Sequence, residues 1–255
     1  MGTKVKKALV MAGSRGIRLG MGTKSHIIYK GKILLEYVLD SIFLAGIEDV
    51  LVFLPNKDDE EKIPRKSLKR LDYLKKKYKE ITWVQYPTEL GLGFRGAVNL
   101  VIDHFGTEPF YLLCGHSPQS YMFLKKMEKV YTKDSIVVSG YKYRYESCVS
   151  IARVNGNKII GFENISGEKP KEFTSEGDNY ITQMPYVIDR NFYEETIKKD
   201  KYKNKIEFYP KVYLESNNNC LLVENPITIS EVDYEKDFQK LLHSIDTLID
   251  CNYKL

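Results

Sequence analysis

The stretch Lys7-Ala8-Leu9-Val10-Met11-Ala12-Gly13-Ser14-Arg15-Gly16-Ile17-Arg18-Leu19 decides the fold of this chain. An apolar strand runs directly into a loop with two glycines and two arginines, and Lys24 follows closely. Glycines let backbone N–H groups approach phosphate oxygens, and the guanidinium and ammonium groups supply the countercharge. The stretch therefore predicts a strand followed by a cradle for the polyphosphate tail of a nucleotide.

The composition is that of a globular protein of ordinary domain size. Of the 255 residues, 43% are hydrophobic and 29% are charged, which allows a full core and argues against general disorder. No apolar run is long enough to span a bilayer and no signal-peptide pattern precedes the first strand, so we expect a cytoplasmic protein without a membrane partner. The four cysteines are scattered without metal-type spacing, which favours reduced thiols.

The net charge of +5, from 39 basic and 34 acidic residues, is a mild excess. Much of it lies between Lys57 and Lys79, where Leu68, Leu71 and Leu74 recur at helical spacing. This pattern favours an amphipathic helix with a solvated charged face over a nucleic-acid-binding patch. Nucleic acid is therefore not the partner we expect.

Strand and helix patterns alternate through the first half of the chain, and the second half is mixed. Strands separated by helices imply parallel pairing, which predicts a Rossmann-like α/β fold with a mixed, mainly parallel sheet flanked by helices. We expect one domain over 1–255, with a nucleotide-binding half (1–140) and an acceptor-binding half (141–255). The predicted strands are Lys7–Met11, Val50–Leu54, Ile81–Gln85, Phe110–Cys114, Ser135–Ser139, Ser147–Val154, Lys158–Glu163, Tyr180–Ile188, Cys220–Val223 and Ile227–Val232. The predicted helices are Ile33–Ala45, Lys57–Lys79, Arg95–Phe105, Ser117–Val130, Asp189–Lys199, Glu207–Glu215 and Tyr234–Asp250, with Ser117 as an N-cap.

The first fifth of the chain resembles the sugar-phosphate nucleotidyltransferases, also called nucleotide-sugar pyrophosphorylases. The matching residues are Ala12-Gly13, Gly16, Arg18-Leu19, Lys24, Gly31-Lys32-Ile33-Leu34-Leu35-Glu36-Tyr37 and Ala45-Gly46-Ile47-Glu48-Asp49-Val50. The resemblance implies a fold of the nucleotide-diphospho-sugar transferase type. It also implies a reaction that joins a nucleoside triphosphate to a sugar 1-phosphate or similar phosphorylated small molecule and releases pyrophosphate. Thr23 and Ser25 stand where the family has prolines around the lysine.

The same resemblance assigns roles to individual residues. Two catalytic residues are implied: Arg18 contacts the β/γ end of the triphosphate and Lys24 reaches the α-phosphate. The nucleotide-binding residues implied by the match are Ala12, Gly13, Ser14, Gly16, Gln85 and Gly91, of which Gln85 reads the base edge and Gly91 presses its backbone against the base. A glycine-rich connection from strand to helix is the alternative for the last two. Lys169, in Glu168-Lys169-Pro170, matches the lysine that holds the acceptor phosphate, although an alignment on Glu163-Asn164 removes that lysine.

The implied cofactor is Mg²⁺ or Mn²⁺, and its ligands are the least regular part of the resemblance. The family places a metal-binding aspartate after the strand that here ends at Cys114, but this chain has His116. Glu231 and Asp233 match the Glu-x-Asp of the phosphocholine cytidylyltransferase branch, and residues two apart in an extended segment can meet one cation. An N-cap role for Asp233 is the alternative.

Imidazole is a poor ligand for Mg²⁺ and suits Zn²⁺, Ni²⁺ or Co²⁺ better. Three hypotheses follow from His116: activity with the metal held by other carboxylates, a changed metal preference, or a catalytically silent protein that binds a nucleotide or nucleotide-sugar in a regulatory role. A homo-oligomer, or a complex with an active homologue, is also left open by the resemblance.

Overall fold

The structure is a computed structural model that describes residues 3–13, 23–86, 94–133, 135–142, 150–164, 178–199, 209–226 and 235–253. The chain forms two compact units. Unit 1 comprises Met1–Val5, Gly93–Tyr111 and Lys126–Ile227, and unit 2 comprises Lys6–Leu92, Leu112–Lys125 and Thr228–Leu255. The expected division of a single domain into 1–140 and 141–255 stays a prediction.

The described residues form eleven strands and eight α-helices, as an α/β fold requires. The strands are β1 (Lys7–Met11), β2 (Ile28–Tyr29), β3 (Lys32–Ile33), β4 (Asp49–Leu54), β5 (Thr82–Gln85), β6 (Phe110–Cys114), β7 (Ser135–Lys142), β8 (Ser150–Asn155), β9 (Lys158–Asn164), β10 (Asp178–Ile188) and β11 (Asn219–Glu224). The helices are α1 (Leu34–Leu44), α2 (Lys57–Glu60), α3 (Arg65–Lys77), α4 (Phe94–Phe105), α5 (Tyr121–Val130), α6 (Arg190–Phe192, continued by the π-helical turn Tyr193–Ile197), α7 (Tyr209–Glu215) and α8 (Glu235–Tyr253).

The sheet of unit 2 has the strand order β5-β4-β1-β6. Strand β1 pairs in parallel with β4, so that Met11 lies opposite Phe53, and β4 pairs in parallel with β5. The amide of Gly115, just after β6, donates to the carbonyl of Met11 at 2.9 Å, which places the carboxyl ends of β1 and β6 at the same edge. In β1, Ala8, Leu9 and Val10 are fully buried, as expected for a parallel strand with covered faces.

The strands of unit 1 pair in the order β10-β7-β11-β9-β8, and a further β10–β8 pairing closes the ring. Strand β10 is antiparallel to β7 and β8, whereas β11 is parallel to β7. Strands β8 and β9 form the predicted hairpin, with Asn155 paired to Lys158. The mixed sheet predicted from the sequence is thereby confirmed.

Two helix predictions are wrong at their boundaries. The segment predicted as one helix, Lys57–Lys79, forms α2 and α3 with a break before Arg65, because Pro64 cannot continue a helix from Lys62 and Ile63. The helix predicted to begin at Pro118 begins at Tyr121, because the hydroxyl of Ser120 accepts from the amide of Met122 at 3.2 Å.

Some predictions fall on residues outside the described ranges. The strand Ile227–Val232 is among them. Within the described ranges, no helix combines the length and the apolar character needed to cross a membrane.

Candidate active site

The first loop residues follow β1 and are held tightly against β4. The amide of Ala12 donates to the carbonyl of Phe53 at 2.8 Å, which continues the parallel ladder by one residue beyond the strand. A Cβ atom on Gly13 would lie 3.3 Å from the carbonyl oxygen of Leu54 and 3.4 Å from Pro55. The chain therefore leaves the sheet at Ala12 and Gly13 with little room for a side chain on the β4 side.

Gly115 brings β6 equally close to the same residues. A Cβ atom on Gly115 would lie 2.8 Å from the Cβ of Ala12, closer than side chains pack, so this position admits only glycine without a shift of the backbone. The next residue, His116, is 6% exposed. We call the group Ala12, Gly13, Gly115 and His116 the carboxyl edge. Ligands bind at such an edge in open α/β sheets.

A short 3₁₀ turn, Lys24–His26, contacts the carboxyl edge at Ala12. The hydroxyl of Ser25 donates to the carbonyl of Ala12 at 2.5 Å, and both residues are fully buried. Lys24, directly before Ser25, is only 8% exposed although its side chain ends in an ammonium group. The turn therefore brings the backbone of Lys24 within one residue of the contact with Ala12.

His26 completes this turn and is strongly desolvated. Its Nδ1 lies 3.0 Å from the hydroxyl of Ser25, and the residue is 2% exposed. Burial, with a smaller effect from the charge of Lys75, lowers the pKa of His26 to about 4. The imidazole is therefore neutral at physiological pH.

Gln85 ends β5 beside the carboxyl edge. It pairs with Leu54, and the amide of Tyr86 donates to the carbonyl of Leu54 at 3.2 Å. The side-chain Nε2 of Gln85 donates to Glu60 at 2.5 Å. Because this contact uses the side-chain nitrogen, the side-chain oxygen of Gln85 can accept a hydrogen bond from another group.

Of the predicted site residues, the structure describes Ala12, Gly13, Lys24, Gln85 and His116. Ala12, Gly13 and Gln85 follow or end strands of one parallel sheet, His116 follows Gly115, which packs on Ala12, and Lys24 precedes Ser25, which bonds to Ala12. The remaining predicted residues, Ser14, Gly16, Arg18, Gly91, Lys169, Glu231 and Asp233, lie outside the described residues, and their roles stay predictions.

Sequence reasoning missed Ser25, His26 and Glu60. A signal existed for Ser25, since it stands where the resemblance places a proline, but none existed for His26. Glu60 carried no such signal, because it lies on a charged segment and reaches Gln85 only through the fold.

The described residues do not by themselves fit a magnesium ion. Among them, no three His, Cys, Asp or Glu side chains are grouped closely enough to hold a metal. His116 offers imidazole, whereas Mg²⁺ prefers carboxylate and water oxygens. Glu231 and Asp233, the predicted carboxylate ligands, lie outside the described ranges, so their role stays a prediction.

Comparison with known proteins shows what the chain is similar to in structure. No protein-family model matches it, and no curated protein matches it in sequence. An inositol-1-phosphate CTP transferase from T. maritima matches with a TM-score of 0.64 and 18% identity, over 96% of this chain and 98% of that one. An apo UDP-glucose pyrophosphorylase matches with a TM-score of 0.70 and 15% identity, over 95% and 98% of the two chains.

A protein from Bacillus anthracis described as a glucose-1-phosphate thymidylyltransferase matches with a TM-score of 0.69 and 14% identity, over 93% and 94% of the two chains. The similarity therefore covers nearly the whole of each chain, far beyond the segment on which the sequence resemblance depends. The chain has the fold of the sugar-phosphate nucleotidyltransferases.

Proposed function

We propose that this protein transfers a nucleotidyl group from a nucleoside triphosphate to a sugar 1-phosphate or a similar phosphorylated small molecule. The observation that carries the proposal is the fixed peptide of Ala12 and Gly13 at the carboxyl edge, with the buried Lys24 beside it. A backbone amide at the end of a central parallel strand, with a lysine in the turn that contacts it, suits a polyphosphate.

The chemistry needs little from the protein besides alignment and countercharge. An oxygen of the acceptor phosphate attacks the α-phosphorus and forms a new P–O bond, while the bond to the bridging oxygen breaks and pyrophosphate leaves. The attacking oxygen is already an anion, so no general base is required. Lys24 is proposed to offset charge on the α-phosphate, and Arg18 on the leaving pyrophosphate.

The solved structures support this class of substrates. Those with similar folds include proteins described by their action on inositol 1-phosphate, glucose 1-phosphate and UDP-glucose. A phosphorylated polyol or sugar is therefore the acceptor class to test first, and Lys169 is the residue proposed to hold its phosphate.

The proposal includes a divalent ion, Mg²⁺ or Mn²⁺, with Glu231, Asp233 and His116 as its proposed ligands. Because the described residues form no magnesium site, this requirement is tested separately. Activity restored by Zn²⁺ or Co²⁺ but not by Mg²⁺ after chelation would favour the imidazole of His116 as a ligand.

Pyrophosphate release tests the reaction. The purified protein is incubated with each nucleoside triphosphate, a divalent ion, and a panel of sugar 1-phosphates, inositol 1-phosphate and phosphocholine. One pair should release pyrophosphate, and Lys24→Ala should lower kcat/KM about a hundredfold, as loss of a charged group at a transferring phosphoryl does. Lys66→Ala, on the exposed face of α3, is the matched control and should leave the rate unchanged. A folded protein that releases no pyrophosphate with any pair contradicts the proposal.

His116 favours a second candidate, a nucleotide or nucleotide-sugar sensor without turnover. Its buried position in the carboxyl edge is where the resemblance places a metal-binding aspartate. His116→Asp separates the two functions. If the variant gains pyrophosphate release that the native chain lacks, the native protein is a sensor. A large loss of an existing activity would instead make His116 part of the enzyme.

A further inference from the structure

The turn Lys24–His26 fixes the direction of the peptide bond between Ala12 and Gly13. The peptide is planar and trans, so its carbonyl and its N–H point in opposite directions. Because the hydroxyl of Ser25 holds the Ala12 carbonyl at 2.5 Å, the N–H of Gly13 points away from the turn. The amide of Ala12 is held as well, by Phe53, so neither side of this residue is free to rotate.

His26 in turn fixes the hydroxyl of Ser25. A hydroxyl has one hydrogen, and two oxygens 2.5 Å apart require that hydrogen to lie between them. The Nδ1 of His26, 3.0 Å from the same hydroxyl, must therefore donate to it. The neutral ring thus carries its proton on Nδ1, and Nε2 is a bare acceptor.

This arrangement is costly for the folded protein. The Nε2 atom is buried and has no hydrogen-bond partner among the residues that the structure describes. A leucine would fill the same space without leaving an unsatisfied nitrogen, so packing alone does not explain a histidine at this position. The feature that only the histidine supplies is the Nδ1–H donor to Ser25.

We infer that Ser25 and His26 are positioning residues for nucleotide binding, which act through the Ala12 carbonyl to aim the Gly13 N–H at the polyphosphate. The inference rests on the proposed function, because it names what orients an amide that the proposed function uses. Neither residue touches the nucleotide. Their effect is to hold one donor of the cradle ready before the ligand arrives, which lowers the cost of ordering it on binding.

Ser25→Ala tests the first contact, with Ser41→Ala as its matched control. Ser41 is also buried, and its hydroxyl donates to the carbonyl of Tyr37 in α1 at 3.0 Å, away from the carboxyl edge. Both variants lose one buried hydroxyl–carbonyl hydrogen bond. Calorimetric titration with inorganic triphosphate, at a temperature where both are folded, should show affinity about tenfold weaker for Ser25→Ala and unchanged for Ser41→Ala. Equal affinities of the two variants would overturn the inference.

Two substitutions of His26 test the second contact. His26→Leu removes the Nδ1–H donor, and we expect triphosphate affinity about threefold weaker without loss of thermal stability. His26→Asn places an amide N–H near the position of Nδ1 and should restore the affinity. A leucine variant that binds as well as the wild type would show that His26 only fills the core.

The tautomer of His26 is measured independently of any ligand. In ¹⁵N-labelled protein at pH 7, the nitrogen shifts should identify a protonated Nδ1 and a bare Nε2. The reverse assignment would break the chain of hydrogen bonds and overturn the inference even if the triphosphate binds. A wild-type protein that binds no triphosphate would overturn the proposed function and, with it, the role of Gly13. The measured tautomer of His26 would still show whether its Nδ1–H donates to Ser25.

Discussion

The imidazole of His26 makes the stability of this protein depend on pH. Its pKa is lowered from 6.5 to about 4, first by burial and then by the charge of Lys75. Between these values the unfolded chain binds a proton that the folded chain does not, so stability is present above pH 6.5 and is lost as the pH falls towards 4. The free energy of unfolding should therefore drop by about 2 kcal/mol between pH 7 and pH 5 from this residue alone.

Urea denaturation at pH 7 and pH 5 measures this drop. His26→Leu should lose about 2 kcal/mol less than the wild type over the same interval. Leu100→Ala, at an exposed and non-titratable position on α4, is the control and should keep the wild-type dependence. An equal loss in the wild type and in His26→Leu would show that folding does not lower the pKa of His26.

Single residues of the site were predictable where they are part of a local pattern. The strand that ends at Met11 and the close approach of Ala12 and Gly13 to its neighbours follow from an apolar run that ends in a glycine-rich loop, whereas the roles of Gly13 and Lys24 at a nucleotide stay predictions. The contact between Ser25 and Ala12 was not predictable, because nothing in the sequence shows that a residue thirteen positions later forms a hydrogen bond at the end of β1. The donation from Gln85 to Glu60 was missed for the same reason, since it joins residues 25 apart.

Helices α1 and α3 are joined by a charged pair with one buried partner. Arg70 makes two hydrogen bonds to Glu36, of 2.7 and 2.6 Å, and Glu36 is 1% exposed. Removing the arginine leaves the carboxylate buried and unpaired, so Arg70→Met should lower the free energy of unfolding by about 3 kcal/mol. Adding Glu36→Gln should recover a large part of that loss, because the buried charge is removed with its partner.

The control for this pair is an exposed one. Lys6 and Glu48 lie 2.8 Å apart, but their side chains are 51% and 66% exposed. Lys6→Met should therefore change the free energy of unfolding by less than about 1 kcal/mol. Similar effects of Lys6→Met and Arg70→Met in urea denaturation would contradict the account of α1 and α3.

The start of α5 gives a second test at this scale. The hydroxyl of Ser120 accepts from the amide of Met122. Ser120→Ala should therefore lower the free energy of unfolding by about 1 kcal/mol. Ser117→Ala should have little effect, although Ser117-Pro118 is the stronger capping pattern in the sequence. Thermal melts of the two variants measure which serine caps α5. A larger loss of stability for Ser117→Ala than for Ser120→Ala would indicate that the helix begins at Pro118.

The elements show where periodicity is informative and where it is not. Strands β1 and β6 match their predicted bounds, because short apolar runs between polar turns leave few alternatives. The helices α2 and α3 were predicted as one, because charged residues continue across the break that Pro64 imposes, although the leucines at helical spacing begin only at Leu68. Several residues near a helix end can each terminate or cap the helix, and which of them does so depends on tertiary contacts that a sequence does not show.

Neither compact unit is a continuous stretch of chain. Unit 1 consists of three segments and so does unit 2, and β6 contributes residues to both. Neither unit can therefore be removed as one piece of the sequence, and we expect the whole chain to unfold in one cooperative transition. Scanning calorimetry should give a calorimetric enthalpy equal to the van't Hoff enthalpy. Two resolved transitions would instead indicate units that fold independently.

The central claim for the whole molecule is that the carboxyl edge and Lys24 bind a polyphosphate tail. Calorimetric titration of the wild-type protein with each of the common nucleoside triphosphates, alone and with inorganic triphosphate as competitor, measures this directly. The account predicts that at least one nucleotide binds with a Kd below about 1 mM and that inorganic triphosphate displaces it. A folded protein that binds none of them, or a nucleotide that inorganic triphosphate fails to displace, would contradict it.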